Sequence, residues 1–295
     1  MPDFLPEHRR VLRDYYMASS IEEAIAYLTA HPGEAQIISG GTKLMPLLQR
    51  GQAIATRLVD VSRITAIKRV RIEGDYLVIG GAVTYAQLLI KEQIADQMPV
   101  LAEAAQMVGA PQIRQQASLA GSIVHARGNS EGAITLIALS AEAEIANLTG
   151  AQWVPVRSLF VRPGVSRVNS AAEIVTAVRI PLLGAGQGAA LARIEPGPGE
   201  SHSPLVAAVA LSIGQDEALD WLSLAVGAPA DVPRLWQLGD LANGRPAMAG
   251  DLRQAVAALT QQARGEGAPD PEQAAAAILA AYDKALERAR AARTP

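Results

Sequence analysis

The chain is 295 residues long and 49% hydrophobic, and its 26 basic residues against 29 acidic ones leave a net charge of −3. That length supports two or three cores of ordinary domain size, and the lack of a basic excess argues against a nucleic-acid partner. The absence of cysteine excludes disulfides, thiolate-held iron–sulfur clusters and thiol nucleophiles.

The start, Met1-Pro2-Asp3-Phe4-Leu5-Pro6, has no basic segment leading into an apolar run. No stretch approaches the roughly eighteen apolar residues of a membrane span, so a cytoplasmic protein without one is expected. Ile21, Ala24, Ile25 and Leu28 share a helical face over 21–30, with Ser20 as cap and Glu22 and Glu23 in the first turn. Ala35 to Ser39 reads as a short strand, Met45 to Gln49 as helix and Arg57 to Val61 as a buried strand, giving a small α/β unit. Ala66 to Ile72 and Tyr76 to Ile79 flank Glu73-Gly74-Asp75, a hairpin turn. Helices are predicted from Thr84, over 101–108 and over 133–141, and Gly109-Ala110-Pro111 breaks the second. Ala143 to Leu148, Trp153 to Val156 and Glu173 to Ile180 are strand candidates. Composition shifts at Gly184 to Gly188 and Pro196 to Gly199, which read as loops, so a domain boundary is placed near residue 185. Leu205 to Ile213 and Leu219 to Val226 then read as strands, and 252–263 and 271–292 as alanine-rich helices.

Two segments carry a chemical signal. Ser39-Gly40-Gly41-Thr42-Lys43-Leu44 lies at a strand end before a helix, where adjacent glycines permit positive φ and close approach of a ligand. Successive N–H groups there can cradle an anion, although a plain tight turn explains the same residues. Gln112 to Ile123 gathers small and hydroxyl-bearing residues between two helices, which suits a cofactor against backbone or simply close packing. Neither segment is a Rossmann fingerprint or an ATPase phosphate loop. No Ser–His–Asp set or close carboxylate pair stands out. His8, His31, His125 and His202 show no metal-ligand spacing, so no protein-held metal is expected.

Taken in order, the blocks resemble the FAD-binding medium subunits of molybdenum-containing hydroxylases of the xanthine dehydrogenase and carbon monoxide dehydrogenase type. Ile38 to Pro46 is similar to their Ala-Gly-Gly-Thr-x-Leu signature, and Leu58 to Ile64 to the strand that follows it. Ile79 to Leu88 resembles Ile-Gly-Ala-x-Val-Thr-x-x-x-Leu. Gly109 to Arg114 with Ala117 to Ile123 resembles Gln-Ile-Arg-Asn followed by Thr/Ser-x-Gly-Gly-Asn-Ile. Glu173 to Pro181 matches a further block, and the likeness is good from about residue 15 to 182.

The resemblance implies an α+β fold. Two FAD-binding subdomains of the vanillyl-alcohol-oxidase-like kind (1–62 and 63–183) would be followed by a C-terminal antiparallel sheet with helices like that of carbon monoxide dehydrogenase flavoproteins (188–292). It also implies FAD in this chain, a molybdopterin-binding large subunit and a small subunit with two [2Fe–2S] clusters, assembled as a dimer of heterotrimers that oxidises a substrate and passes electrons through the flavin to an outside acceptor. Carried over by position, Ser39, Gly40, Gly41, Thr42 and Lys43 wrap the diphosphate. Ser118, Gly121 and Ser122 take the phosphate and ribityl side, Glu131 accepts from sugar hydroxyls, Val175 or Ile174 lies near the ring system through main chain, and Leu44, Ala117 and Val124 are further cofactor-binding positions.

The chain also departs from the pattern. Ala120 stands where the family has glycine, and alanine is disfavoured there if positive φ is required. Ser122 replaces Asn, Glu131 replaces Asp, and Ala190 to Arg193 lacks the usual aromatic. Ala120, Ser122 and the missing aromatic motivate an alternative, a relative kept as an assembly scaffold without FAD. A stand-alone oxidase lacks the acid–base set it would need. Lys43 is read equally as a cation beside the diphosphate or as a solvated side chain. His125 is read as satisfying a local hydrogen bond, Arg114 as ordering its loop through carbonyls, and Trp153, Trp221 and Trp236 as core or interface residues.

Overall fold

The computed structural model describes residues 12–53, 55–195, 204–229, 231–237 and 271–293. Strands β1 (Asp14–Met17), β2 (Ala35–Ile38) and β3 (Arg57–Asp60) form a parallel sheet in the order β1-β3-β2. Helices α1 (Ile21–Ala30) and α2 (Leu44–Gln49) connect them. A parallel sheet needs cover on both faces, and β3 has an apolar residue for each. Val59 packs in one cluster with Ala24, Ile25 and Leu28 of α1, and Leu58 in another with Leu44 and Leu48 of α2. Ser20 caps α1 by accepting the Glu23 N–H at 3.1 Å, as its sequence predicts.

The second sheet runs through β4 (Val70–Glu73), β5 (Tyr76–Gly80), β6 (Glu142–Asn147), β7 (Gly150–Pro155) and, beyond the hairpin of β8 (Phe160–Arg162) and β9 (Val165–Ser166), β10 (Ile174–Pro181). Its order is β4-β5-β10-β6-β7, so the last strand is inserted in the middle. The predicted strand from Ala66 starts later, because residues 65–67 turn and the Ile67 carbonyl accepts the Ala82 N–H at 2.9 Å. Between β5 and β6 lie α3 (Tyr85–Leu88), α4 (Glu92–Gln97), α5 (Pro99–Met107), α6 (Pro111–Arg114), α7 (Leu119–His125) and α8 (Glu131–Ala138). Thr84 starts α3 with both halves of a capping box to Gln87. Gly132 through Ala138 of α8 are all buried, which explains their unbroken run of apolar and small residues.

The third sheet is an antiparallel meander of β11 (Gln187–Ile194), β12 (Leu205–Ile213), β13 (Leu219–Gly227) and β14 (Arg234–Gln237), with α9 (Pro271–Ala291) lying across it. Every residue of β12 is buried because alternate side chains serve different cores. Val206, Ala208 and Ala210 face the core that holds α5 and α8, while Leu205, Ala207, Val209 and Leu211 face α9. The predicted loop over 184–188 is shorter than expected: Gln187 and Gly188 belong to β11. A Cβ at Gly188 would sit 2.6 Å from Ala289 N of α9, so glycine is required there by close approach. The predicted loop 196–199 and helix 252–263 lie outside the described residues. Among the described residues, no helix is long and apolar enough to cross a membrane, and no cluster of metal-ligating side chains occurs.

Candidate functional site

The loop from Ser39 to Lys43 leaves the end of β2 and enters α2. Gly41 holds a φ of 65°, the left-handed region that glycine tolerates. Gly40 has no room for a side chain: a Cβ there would lie 2.5 Å from the Gln116 carbonyl carbon and closer still to its oxygen. The two glycine-bearing segments, about seventy positions apart, are therefore in backbone contact. Among the described residues, the N–H groups of Gly40, Gly41, Thr42 and Lys43 donate no hydrogen bond within the chain. Consecutive unpaired donors beside an open cleft form an anion cradle.

The second segment is a helix start rather than a loop. Ser118 caps α7, its side chain accepting the Gly121 N–H at 3.1 Å, which leaves its own proton available to donate. Ser122 Oγ lies 2.7 Å from the Tyr85 hydroxyl, a fully buried group on α3 whose pKa burial pushes up. Ala120 is inside α7 and is not among the residues with positive φ, so alanine fits where the resemblance has glycine. The left-handed position comes later, at Ala126, whose φ is 50°. Arg114 orders the preceding loop as expected, donating to the Gly109 carbonyl at 2.7 Å and that of Val108 at 3.2 Å.

Both segments line one cleft of about 710 Å³, within the roughly 300–1,000 Å³ common for small-molecule and cofactor sites. The structure brings together all of Ser39, Gly40, Gly41, Thr42, Lys43, Leu44, Ala117, Ser118, Gly121, Ser122, Val124, Glu131 and Val175 on its walls. The backbone donors of the first loop, the hydroxyls of Thr42 and Ser118, and two cations, Lys43 and Arg127, suit a diphosphate. Apolar wall from Ile38, Val108 and Ile113 suits a ring system. The donor set and the space fit a dinucleotide such as FAD.

The charges in the cleft are mixed. Burial raises the Glu131 pKa, while hydrogen bonding and charge from Arg193, and charge from Lys43, act the other way. Arg193 Nη1 lies 2.6 Å from Glu131 Oε1. The His125 ring makes no hydrogen bond among the described residues, contrary to expectation, and the residue lines the cleft. Burial first, then Lys43 and Arg127, pushes its pKa down to about 4, so it is neutral near pH 7. Trp153 carries the Arg179 guanidinium 4.4 Å from its ring centre, away from the cleft; Trp221 is 36% exposed, and the Trp236 side chain is outside the described residues.

Sequence reasoning missed Arg193 and Arg127 on the wall of this site, and Tyr85 as the partner of Ser122 behind it. For Arg193 a signal exists once β11 is recognised: Ala189 and Leu191 face the core with α5 and α8, so a period of two points Arg193 the same way. Tyr85 is an apolar-looking helix residue with no local sign that its hydroxyl supports Ser122.

A family model described as the FAD binding domain in molybdopterin dehydrogenase matches residues 9–183. The alpha subunit of the 6-hydroxypseudooxynicotine dehydrogenase complex of Paenarthrobacter nicotinovorans is 33% identical over 177 residues, which span 60% of this chain and 60% of that protein. The carbon monoxide dehydrogenase medium chain of Afipia carboxidovorans is 26% identical over 285 residues, 94% of this chain and 98% of its own length. A crystal structure of Cu,Mo-CO dehydrogenase superposes with a TM-score of 0.80 at 25% identity, over 95% of this chain and 98% of that one. A match that runs through both glycine segments and more than half of the sequence settles the family: the chain belongs to the FAD-binding domains of molybdopterin dehydrogenases, with the expected α+β fold of a two-part FAD-binding region followed by an antiparallel sheet.

Proposed function

We infer that the chain is the flavin-carrying, electron-transferring subunit of a molybdenum hydroxylase. A molybdopterin-binding large subunit oxidises the substrate, and [2Fe–2S] clusters of a small subunit deliver the electrons. This chain hands them to an external acceptor such as NAD, a quinone or oxygen. The working unit is a heterotrimer, doubled, in the cytoplasm.

The observation that carries this reading is that the two glycine-bearing segments share one cleft, with the unpaired N–H donors of the first on its wall. FAD, when bound, supplies the redox chemistry, and no side chain has to react. Gly40 to Lys43 hold the diphosphate through their N–H groups, with the Thr42 hydroxyl as a further donor and the Lys43 charge beside it. Ala117, Ser118, Gly121, Ser122 and Val124 form the wall on the phosphate and ribityl side. Glu131 accepts from sugar hydroxyls, and Leu44 and Val175 close the apolar part. The scaffold-only alternative loses one of its three motives, because Ala120 sits without strain inside a helix. The visible spectrum of the purified complex tests the reading: releasable FAD, one per copy of this chain, is expected, and an assembled complex with no flavin ends it.

A further inference from the structure

Arg193 is a residue of the third sheet that reaches the cleft. Its Nη1 donates to Glu131 Oε1 at 2.6 Å and to the Met107 carbonyl at 3.2 Å. Its Nε lies 2.6 Å from Glu195 Oε1, a charge contact without the alignment of a hydrogen bond. Glu131 is the better buried carboxylate, its side chain 14% exposed against 63% for Glu195. One guanidinium thus ties together the end of α5, the start of α8 and β11 beside the cleft.

We propose that Arg193 is a positioning residue for the cofactor: it keeps the Glu131 carboxylate ionised and oriented, with Oε2 left as the acceptor for a sugar hydroxyl of FAD. This rests on the FAD reading above. The groups around Glu131 come from several elements. Lys43, ahead of α2, is the other cation acting on it. Tyr85 of α3 is buried and stays protonated. His125 at the end of α7 is neutral above about pH 4, and Arg127 acts on that ring. Without Arg193, only the backbone N–H of Glu131 and the Lys43 charge oppose the burial that favours the neutral acid. A neutral carboxyl accepts a weaker hydrogen bond than a carboxylate does. FAD affinity should then weaken on acidification, a signature that a purely structural tie between sheets does not produce.

The test is an FAD titration of the deflavinated full chain between about pH 6 and about pH 8.5, read by flavin fluorescence. Wild type and Arg193→Lys should change little over that range. Arg193→Gln should bind roughly ten-fold more weakly at the acid end than at the basic end, and Glu131→Gln and the double variant should both give flat profiles. An Arg193→Gln profile as flat as that of wild type overturns the assignment, even if its affinity or melting temperature falls. If Arg193→Gln does not fold, Glu131→Gln carries the test: the weakening of wild type below about pH 6 must vanish in it, and persistence overturns the assignment. A wild-type chain that binds no FAD at any pH overturns the parent reading instead, and this one with it.

Discussion

Gly40 lies directly against the carbonyl of Gln116, so closely that any side chain at position 40 must push the two cradle segments apart. This contact joins the end of the parallel sheet to the helical layer of the second part. It fixes the width of the cleft between them.

Gly40→Ala should therefore weaken FAD binding by at least about ten-fold and lower stability by roughly 1–3 kcal/mol, the usual range for forced overpacking. Gly33→Ala is the control for a glycine change without overpacking: Gly33 has a positive φ of 74°, and a Cβ there meets nothing within 4 Å. It should cost about 1 kcal/mol through backbone strain and leave FAD affinity unchanged. Denaturant melts and flavin titrations of the two variants check this.

Ser118→Ala removes the cap of α7. A lost cap of this kind costs about 1 kcal/mol, and the Gly121 N–H that Ser118 now satisfies becomes unpaired. A lower urea midpoint is expected, together with a several-fold loss of FAD affinity. Ser118→Asp should recover the stability, because Asp caps well, but not the affinity, because it places a negative charge beside the diphosphate.

Lys43 and Arg127 bear on a common place in the cleft, since both act on His125. Lys43→Met should weaken FAD binding several-fold in dilute buffer and much less at about 1 M salt, where charges are screened beyond about 3 Å. The wild-type affinity should fall with salt, and the variant should show a shallower slope. Equal slopes would assign Lys43 to solvent.

His125 gives a pH signature of stability. Its ordinary pKa is 6.5 and its folded value is pushed down to about 4 by burial, Lys43 and Arg127. Between those values the unfolded chain binds the extra proton, so stability falls as pH drops through this window and is unaffected above it. His125→Asn should flatten the decline by something on the order of 1 kcal/mol, after allowance for partial exposure. Chemical melts across the window measure it.

Gly40 and Gly41 were legible as a sharp turn before a helix, a ligand-binding role for them came from the order of the family-like blocks, and Ser20 and Thr84 were legible as caps. That the first loop would meet Gln116 was not, because the contact spans two sheets and no spacing rule links them; the family resemblance supplied that link. The start of α7 read as a loop because Gly121 and Ser122 are poor helix formers. Burial of Leu119 and Ile123 overrides that preference. Strand β11 was hidden by Gly188 and a run of alanines with weak strand preference. Gly188 is there to admit the backbone of α9, and with the strand unrecognised, Arg193 could not be assigned to the cleft.

If both glycine-bearing segments grip a single dinucleotide, the purified full chain holds one flavin, and a titration with FAD measures how much it holds. Binding should saturate at one FAD per chain, with a rise in melting temperature that grows with free FAD as linkage requires, and that rise should be lost in Gly40→Ala. No saturable flavin binding, or a melting temperature indifferent to FAD in the wild type, would contradict that shared grip.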